Sequence, residues 1–172
     1  MTARTLRGAA EQGDIDLVRK FLEQGVKVNE RTFYGWFPLA GAIVGGDKKI
    51  VEILLDAGAD INMVTKSNWS PLYLAIHKRH YSIAETLIKK GAKLNTRTFG
   101  GYNSTGGDSS LHYAIRLKRL RIVKALIKAG ARINIRNWHY QTALDTALSL
   151  GAYKIACYLF ANGGHMFRSK DF

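Results

Sequence analysis

The chain is poor in the residues that staple, break or acidify a fold. It has one cysteine, Cys157, and two prolines, Pro38 and Pro71, in 172 residues. A single cysteine closes no internal disulfide, which fits a reducing compartment. Its place between Ala156 and Tyr158, in an apolar stretch, reads as an inert buried thiol. No run of about 18 apolar residues exists that could span a bilayer. No N-terminal apolar run ends in a small-residue cleavage site. A soluble chain that is not secreted is therefore expected, cytoplasmic or nuclear, or in the host-cell cytoplasm if the chain is an effector or viral protein. In that setting the sequons Asn68-Trp69-Ser70 and Asn103-Ser104-Thr105 carry no weight.

Acidic residues are scarce as well. Thirteen Asp and Glu face 26 Lys and Arg, a net charge of +13. The deficit is local: residues 1–62 hold 8 basic and 9 acidic side chains, whereas residues 63–172 hold 18 basic and 4 acidic. Such asymmetry points to an anionic partner: a polyanion, an acidic protein or an anionic membrane surface. It also leaves little from which paired-carboxylate chemistry could be built. The five histidines are His77, His80, His112, His139 and His165. The close pair His77 and His80 encloses Lys78 and Arg79, two cations that oppose a metal dication, and a zinc site needs more ligands. No catalytic residues, metal site or cofactor are expected.

What the chain has in quantity is a repeat. The phrases LEQGVKVN, LDAGADIN, IKKGAKLN and IKAGARIN end at Asn29, Asn62, Asn95 and Asn134. Their glycines, Gly25, Gly58, Gly91 and Gly130, continue to Gly163 with spacings of 33, 33, 39 and 33 residues. A fixed period in this range marks a stacked-repeat architecture, in which each unit buries its apolar face only against its neighbours. Each unit reads as two short helices, a tight turn between them and an extended finger. In the second, Pro38 opens a helix where its missing N–H costs nothing. Gly45-Gly46 ends it and Asp47 caps the next helix, whose Ile50, Val51, Ile53, Leu54 and Leu55 form one apolar side. One domain of five repeats is expected: 2–29, 30–62, 63–95, 96–134 and 135–164, with a tail over 165–172. The longer spacing places a six-residue, Gly- and Ser-rich insertion in the 99–109 loop.

These phrases resemble the ankyrin repeat over about residues 4–164. Ser70-Pro71-Leu72, Ser110-Leu111-His112-Tyr113-Ala114 and Gly58-Ala59-Asp60-Ile61-Asn62 carry its signature. The resemblance implies an all-α solenoid of five helix-turn-helix units with extended, β-hairpin-like fingers, most often a protein-interaction scaffold. The turn glycine of the family becomes Arg79 in the third repeat and Lys118 in the fourth. If those turns still require positive φ, each costs about 1 kcal/mol relative to glycine.

The resemblance also implies a concave surface made by finger tips and the inner ends of the first helices. Its candidate binding residues here are Arg31, Phe33, Tyr34 and Trp36; Lys66, Trp69, His77 and Lys78; Arg97, Phe99, Tyr102 and Arg116; and Arg136, Trp138, His139 and Gln141. All three tryptophans are among them, and exposed Trp, Tyr and Arg are the types that dominate interface energy. A basic edge of Lys48, Lys49, Arg79, Lys118, Arg119 and Arg121 follows the turns, together with Lys78. The expected function is a non-catalytic interaction scaffold for an acidic protein. The alternative is single-stranded nucleic acid or an oligonucleotide, whose bases stack on rings while phosphates meet Lys and Arg. Leu17 to Asp60 also resembles the ankyrin domain of the 2-5A-dependent ribonuclease. Trp36 stands where that family has a base-stacking Trp, but its phosphate-contacting Lys is Thr65 here, with Lys66 one place later. Polar residues at both ends (Arg4, Glu11 and Gln12; Arg168, Ser169, Lys170 and Asp171) lead to the expectation of a monomer.

Overall fold

A computed structural model describes residues 5–33, 35–99 and 107–167. Among these residues there are ten α-helices and no β-strand. They are α1 (Leu6–Gln12), α2 (Ile15–Glu23), α3 (Pro38–Gly45), α4 (Lys48–Asp56), α5 (Pro71–His77), α6 (Tyr81–Lys89), α7 (Ser110–Arg116), α8 (Leu120–Lys128), α9 (Ala143–Ser149) and α10 (Tyr153–Ala161). The chain divides into two compact units, residues 1–92 and 93–172. The first holds the pairs α1/α2, α3/α4 and α5/α6; the second holds α7/α8 and α9/α10.

Short helices this close in length to the nucleation limit need tertiary contact and caps. Six of the ten starts carry a side-chain cap. Asp14 accepts from the backbone N–H of Leu17, Asp47 from Ile50, and Ser70 from Tyr73. In the second unit Ser109 with His112, and Thr142 with Asp145, form reciprocal capping boxes. Pro38 and Pro71 sit in the first turn of their helices, as the sequence predicts.

The first helices are short and small-faced so that they can pack closely. A Cβ at Gly41 would come within 2.6 Å of the Arg7 carbonyl oxygen, and one at Gly45 within 2.4 Å of that of Glu11. Backbone thus touches backbone between α1 and α3. Around this contact Leu6, Val18, Leu39, Ile43, Ile50 and Leu54 are buried, and Leu72, Ile76, Ile83 and Leu87 extend the core through the first unit. Leu111, Ile115, Ile122, Leu126 and Leu159 do the same in the second.

The recurring asparagine is a strap. Asn29 donates from Nδ2 to the Gly58 carbonyl at 3.0 Å and accepts on Oδ1 from the Asp60 N–H at 2.8 Å. Asn134 repeats both bonds with Gly163 and His165. Asn95 accepts from the Arg132 N–H. Each strap ties the residue that ends one repeat to the segment just after the second helix of the next, which explains why one residue type recurs at this period.

Candidate interaction surface

Hydrogen bonds put the fingers in register. The Thr32 N–H donates to the Trp36 carbonyl, Thr65 to Trp69, Thr98 to Asp108, and Asn137 to Gln141. Four residues therefore occupy one position, the closing residue of the finger: Trp36, Trp69, Asp108 and Gln141. The residue before it is left-handed each time: Gly35 (φ 78°), Asn68 (φ 57°), Gly107 (φ 74°) and Tyr140 (φ 59°). One antiparallel bridge, Arg97 with Ser109, marks the finger that carries the insertion. Residues 100–106 of that loop, with Tyr102, and Tyr34 in the second finger lie outside the described residues.

In the first unit the closing tryptophans are half-buried. Trp69 opens a ladder of rings along α5: its centroid lies 5.7 Å from Tyr73 and 4.8 Å from His77. Spacing of four residues puts Tyr73 and His77 on one side of the helix. Burial, and next the charge of Lys78, push the His77 pKa below its ordinary value. The Arg7 guanidinium lies 5.7 Å from the Trp36 ring. At the tip Phe33 is 84% exposed, with the Lys66 ammonium 4.9 Å from its ring. Arg31 is exposed and donates to the Val64 carbonyl of the next finger at 2.6 Å.

The second unit fills the closing position differently. Asp108 is fully buried. Its Oδ2 accepts from Arg116 Nε at 2.7 Å and its Oδ1 from Asn137 Nδ2 at 3.1 Å. Asn137 Oδ1 in turn accepts from the N–H groups of His139 and Gln141. His112 is buried, with Nδ1 2.9 Å from Ser109 Oγ and Nε2 3.1 Å from the Gln141 carbonyl. Burial pushes its pKa down, and the neighbouring Asp108 carboxylate opposes that shift. Arg97 repeats the strut of Arg31, donating to the Arg136 carbonyl at 3.1 Å. Arg136 is half-buried, 4.5 Å from the Phe167 ring. Trp138 is 53% exposed at the tip, where the first unit has Phe33 and Lys66. Its ring lies against Gly107, leaving no room there for a Cβ. Phe99 and Tyr140 are each 57% exposed, and His139 is exposed.

Placement therefore sorts the candidates. Phe33, Lys66, Phe99, Trp138 and His139 stand at the tips, and Lys78 is exposed at the end of α5. Trp36, Trp69 and His77 line finger bases and α5. Arg31, Arg97, Arg116 and Gln141 have internal bonding partners. Trp138 is not the equivalent of Trp36 and Trp69; Gln141 is. On the basic edge Lys48, Lys49, Arg79, Lys118, Arg119 and Arg121 are exposed. Arg79 (φ 63°) and Lys118 (φ 52°) are left-handed where other repeats place Gly13, Gly46 and Gly151. Both turns keep the demand for positive φ.

Two features went unread in the sequence. Asp108, inside the 99–109 segment that the spacing marks as an insertion, is fully buried and held by Arg116 and Asn137. Cys157 is exposed, not buried. Its register explains why: Arg19, Glu52, Glu85 and Lys124 occupy the same position of the other second helices, on the solvent side. No group of three His, Cys, Asp or Glu side chains that could hold a metal comes together among the described residues. His77 belongs to the ring ladder and His80 lies against Gly46. Among the described residues no helix is long and apolar enough to cross a membrane.

Comparison with known families agrees with this architecture. A profile described as ankyrin repeats, in three copies, matches residues 6–98 and 100–171. No curated protein matches the chain significantly. Helix pairs, left-handed turns, asparagine straps and a profile match over most of the length lead to one conclusion: the chain belongs to the ankyrin-repeat family.

Proposed function

We propose that the chain is a non-catalytic scaffold that holds an acidic protein partner on its finger tips and inner helix ends. Ankyrin repeats are in general protein–protein interaction modules. The observation that carries the reading is the exposure of large rings at the tips: Phe33 at 84%, Phe99 and Tyr140 at 57%, and Trp138 at 53%. These rings contribute little to the core. They stand on hairpins already closed by hydrogen bonds, so little ordering entropy is lost on binding. Rings of this kind serve as anchors. Lys66 beside Phe33 favours carboxylates, and the basic surface raises the on-rate.

Intrinsic tryptophan fluorescence tests the reading. Peptides rich in Asp and Glu with an aromatic or aliphatic residue should quench or shift the emission at low salt, and neutral peptides of equal length should not. Single-stranded RNA is the competing ligand. If RNA binds with a log–log salt slope of roughly 0.7 per phosphate while acidic peptides do not bind, the oligonucleotide reading replaces this one.

A further inference from the structure

We propose that the second unit carries a peptide-binding groove between its two helix–helix turns, fitted to an apolar side chain flanked by carboxylates. It stands apart from the finger surface, because α7 and α9 each run from a finger to a turn. Both of its walls are internal to the unit: the α7–α8 turn on one side and the α9–α10 turn on the other.

The groove follows from a change at two linked positions. Every turn has a left-handed residue and then the residue that precedes the second helix. In the first unit the second of these reaches back over the turn before it. Asp47 lies near Gly13, and the His80 ring lies on Gly46, where a Cβ would come within 2.6 Å of Cε1. In the second unit the counterparts of Gly46 and His80 are Lys118 and Ala152. A methyl group stands where the first unit has an imidazole, and a cavity of about 470 Å³ lies there.

Its lining is apolar with two cations. Ile155 and Ala152 are buried, Leu120 is half-buried, and Tyr153 lies beside them. Lys118 and Lys154 also line it, and both are exposed. No ion pair joins either ammonium to a described carboxylate. The described acids of this unit are committed elsewhere: Asp108 is buried against Arg116, and Asp145 is tied into the α9 cap. Lys118 keeps its place at φ 52°, where three of the other four turns use glycine. Strain of this kind persists where the side chain has a use.

An acidic peptide with an apolar residue answers both features. Its apolar side chain covers Leu120 and Ile155 while flanking carboxylates meet Lys118 and Lys154, which fixes orientation as well as preference. A nucleic-acid backbone would meet the lysines and leave the apolar lining in water. A neutral apolar peptide would fill the groove and make no use of its charge.

Amide NMR of the full chain, titrated with a capped hexapeptide in which a leucine–phenylalanine pair is flanked by acidic residues, is the test. Shifts are expected at Leu120 and residues 151–155, and they should persist in Phe33→Ala with Trp138→Ala, which removes finger rings alone. Lys118→Gly with Ala152→His rebuilds the filled turn of Gly46 and His80. It should weaken binding at these amides about tenfold, with an unchanged or higher melting temperature because left-handed backbone is relieved. Lys154→Gln, at an exposed side chain, should weaken it about threefold. The same hexapeptide with amides in place of its carboxylates should bind more weakly. Shifts confined to the fingers, equal binding of the amide peptide, or unchanged affinity in the Lys118→Gly, Ala152→His chain overturns the proposal. Shifts at these amides from single-stranded RNA and none from the acidic peptide also overturn it and give the lysines to nucleic acid.

Discussion

The two units build the same finger on different fillings. In the first, the closing residue is tryptophan twice, Trp36 and Trp69, and the ring of Trp69 continues along α5 through Tyr73 and His77. In the second the same position holds Asp108 and Gln141, joined to Arg116, Asn137 and His112. The hairpin bonds are the same, so the backbone does not dictate the filling. What differs is where chemistry is left over for a partner. The first unit lines its finger bases and α5 with rings, half-buried at Trp36, Trp69 and His77. The second closes its finger bases with internal polar bonds, and the rings of its fingers stand at the tips.

Substitutions can break that contrast, and the largest effect is expected at Asp108. Asp108→Ala leaves Arg116 and Asn137 without their buried acceptor and should destabilise the second unit by about 3 kcal/mol in urea unfolding. A loss below about 1 kcal/mol would mean that the bonds of Asp108 to Arg116 and Asn137 contribute little to the fold. Trp69→Ala should cost about 2 kcal/mol, less than a fully buried ring because Trp69 is only half-buried. Gln141→Ala, at the equivalent position, should cost about 1 kcal/mol; equal losses at both sites would erase the distinction between the units.

Smaller effects sharpen it. Arg79→Gly and Lys118→Gly relieve left-handed backbone and should each raise stability by about 1 kcal/mol in thermal melts. A decrease would show that the cations hold their turns by contacts stronger than the strain. The pH dependence differs between the units by degree of burial. His112 has a lowered pKa in the folded state, so the unfolded chain binds the proton more readily. Its contribution is complete above the ordinary histidine value of about 6.5 and is lost as pH falls from there toward the folded value. Melting temperature should therefore drop on acidification. His112→Gln should flatten the slope more than His77→Gln, whose ring is half-buried on α5.

Much of the architecture was legible because it is periodic. Glycines and asparagines at 33-residue spacing mark helix ends and straps, and local capping does the rest. Arg79 and Lys118 were readable as strained turns for the same reason: neighbours at the same register are glycines. Register also contains the exposure of Cys157, since four charged residues share its position, although its immediate neighbours Ala156 and Tyr158 point to a buried thiol. The site was harder to read. The 39-residue spacing hides that Asp108 aligns with the tryptophans. Trp138 invites grouping with Trp36 and Trp69 by residue type, although hydrogen-bond register puts it at the tip. Whether an arginine faces a partner or the carbonyl of the next finger, as Arg31 and Arg97 do, depends on distances that no local pattern encodes.

The tip rings are the heart of the account, and one measurement reaches them directly: acidic-peptide affinity and thermal unfolding of the Phe33→Ala, Trp138→Ala double variant, compared with the unsubstituted chain. Affinity should fall at least tenfold while stability changes by less than about 0.5 kcal/mol, because both side chains are mostly in solvent. Unchanged affinity, or a loss that simply follows a large drop in stability, would contradict it.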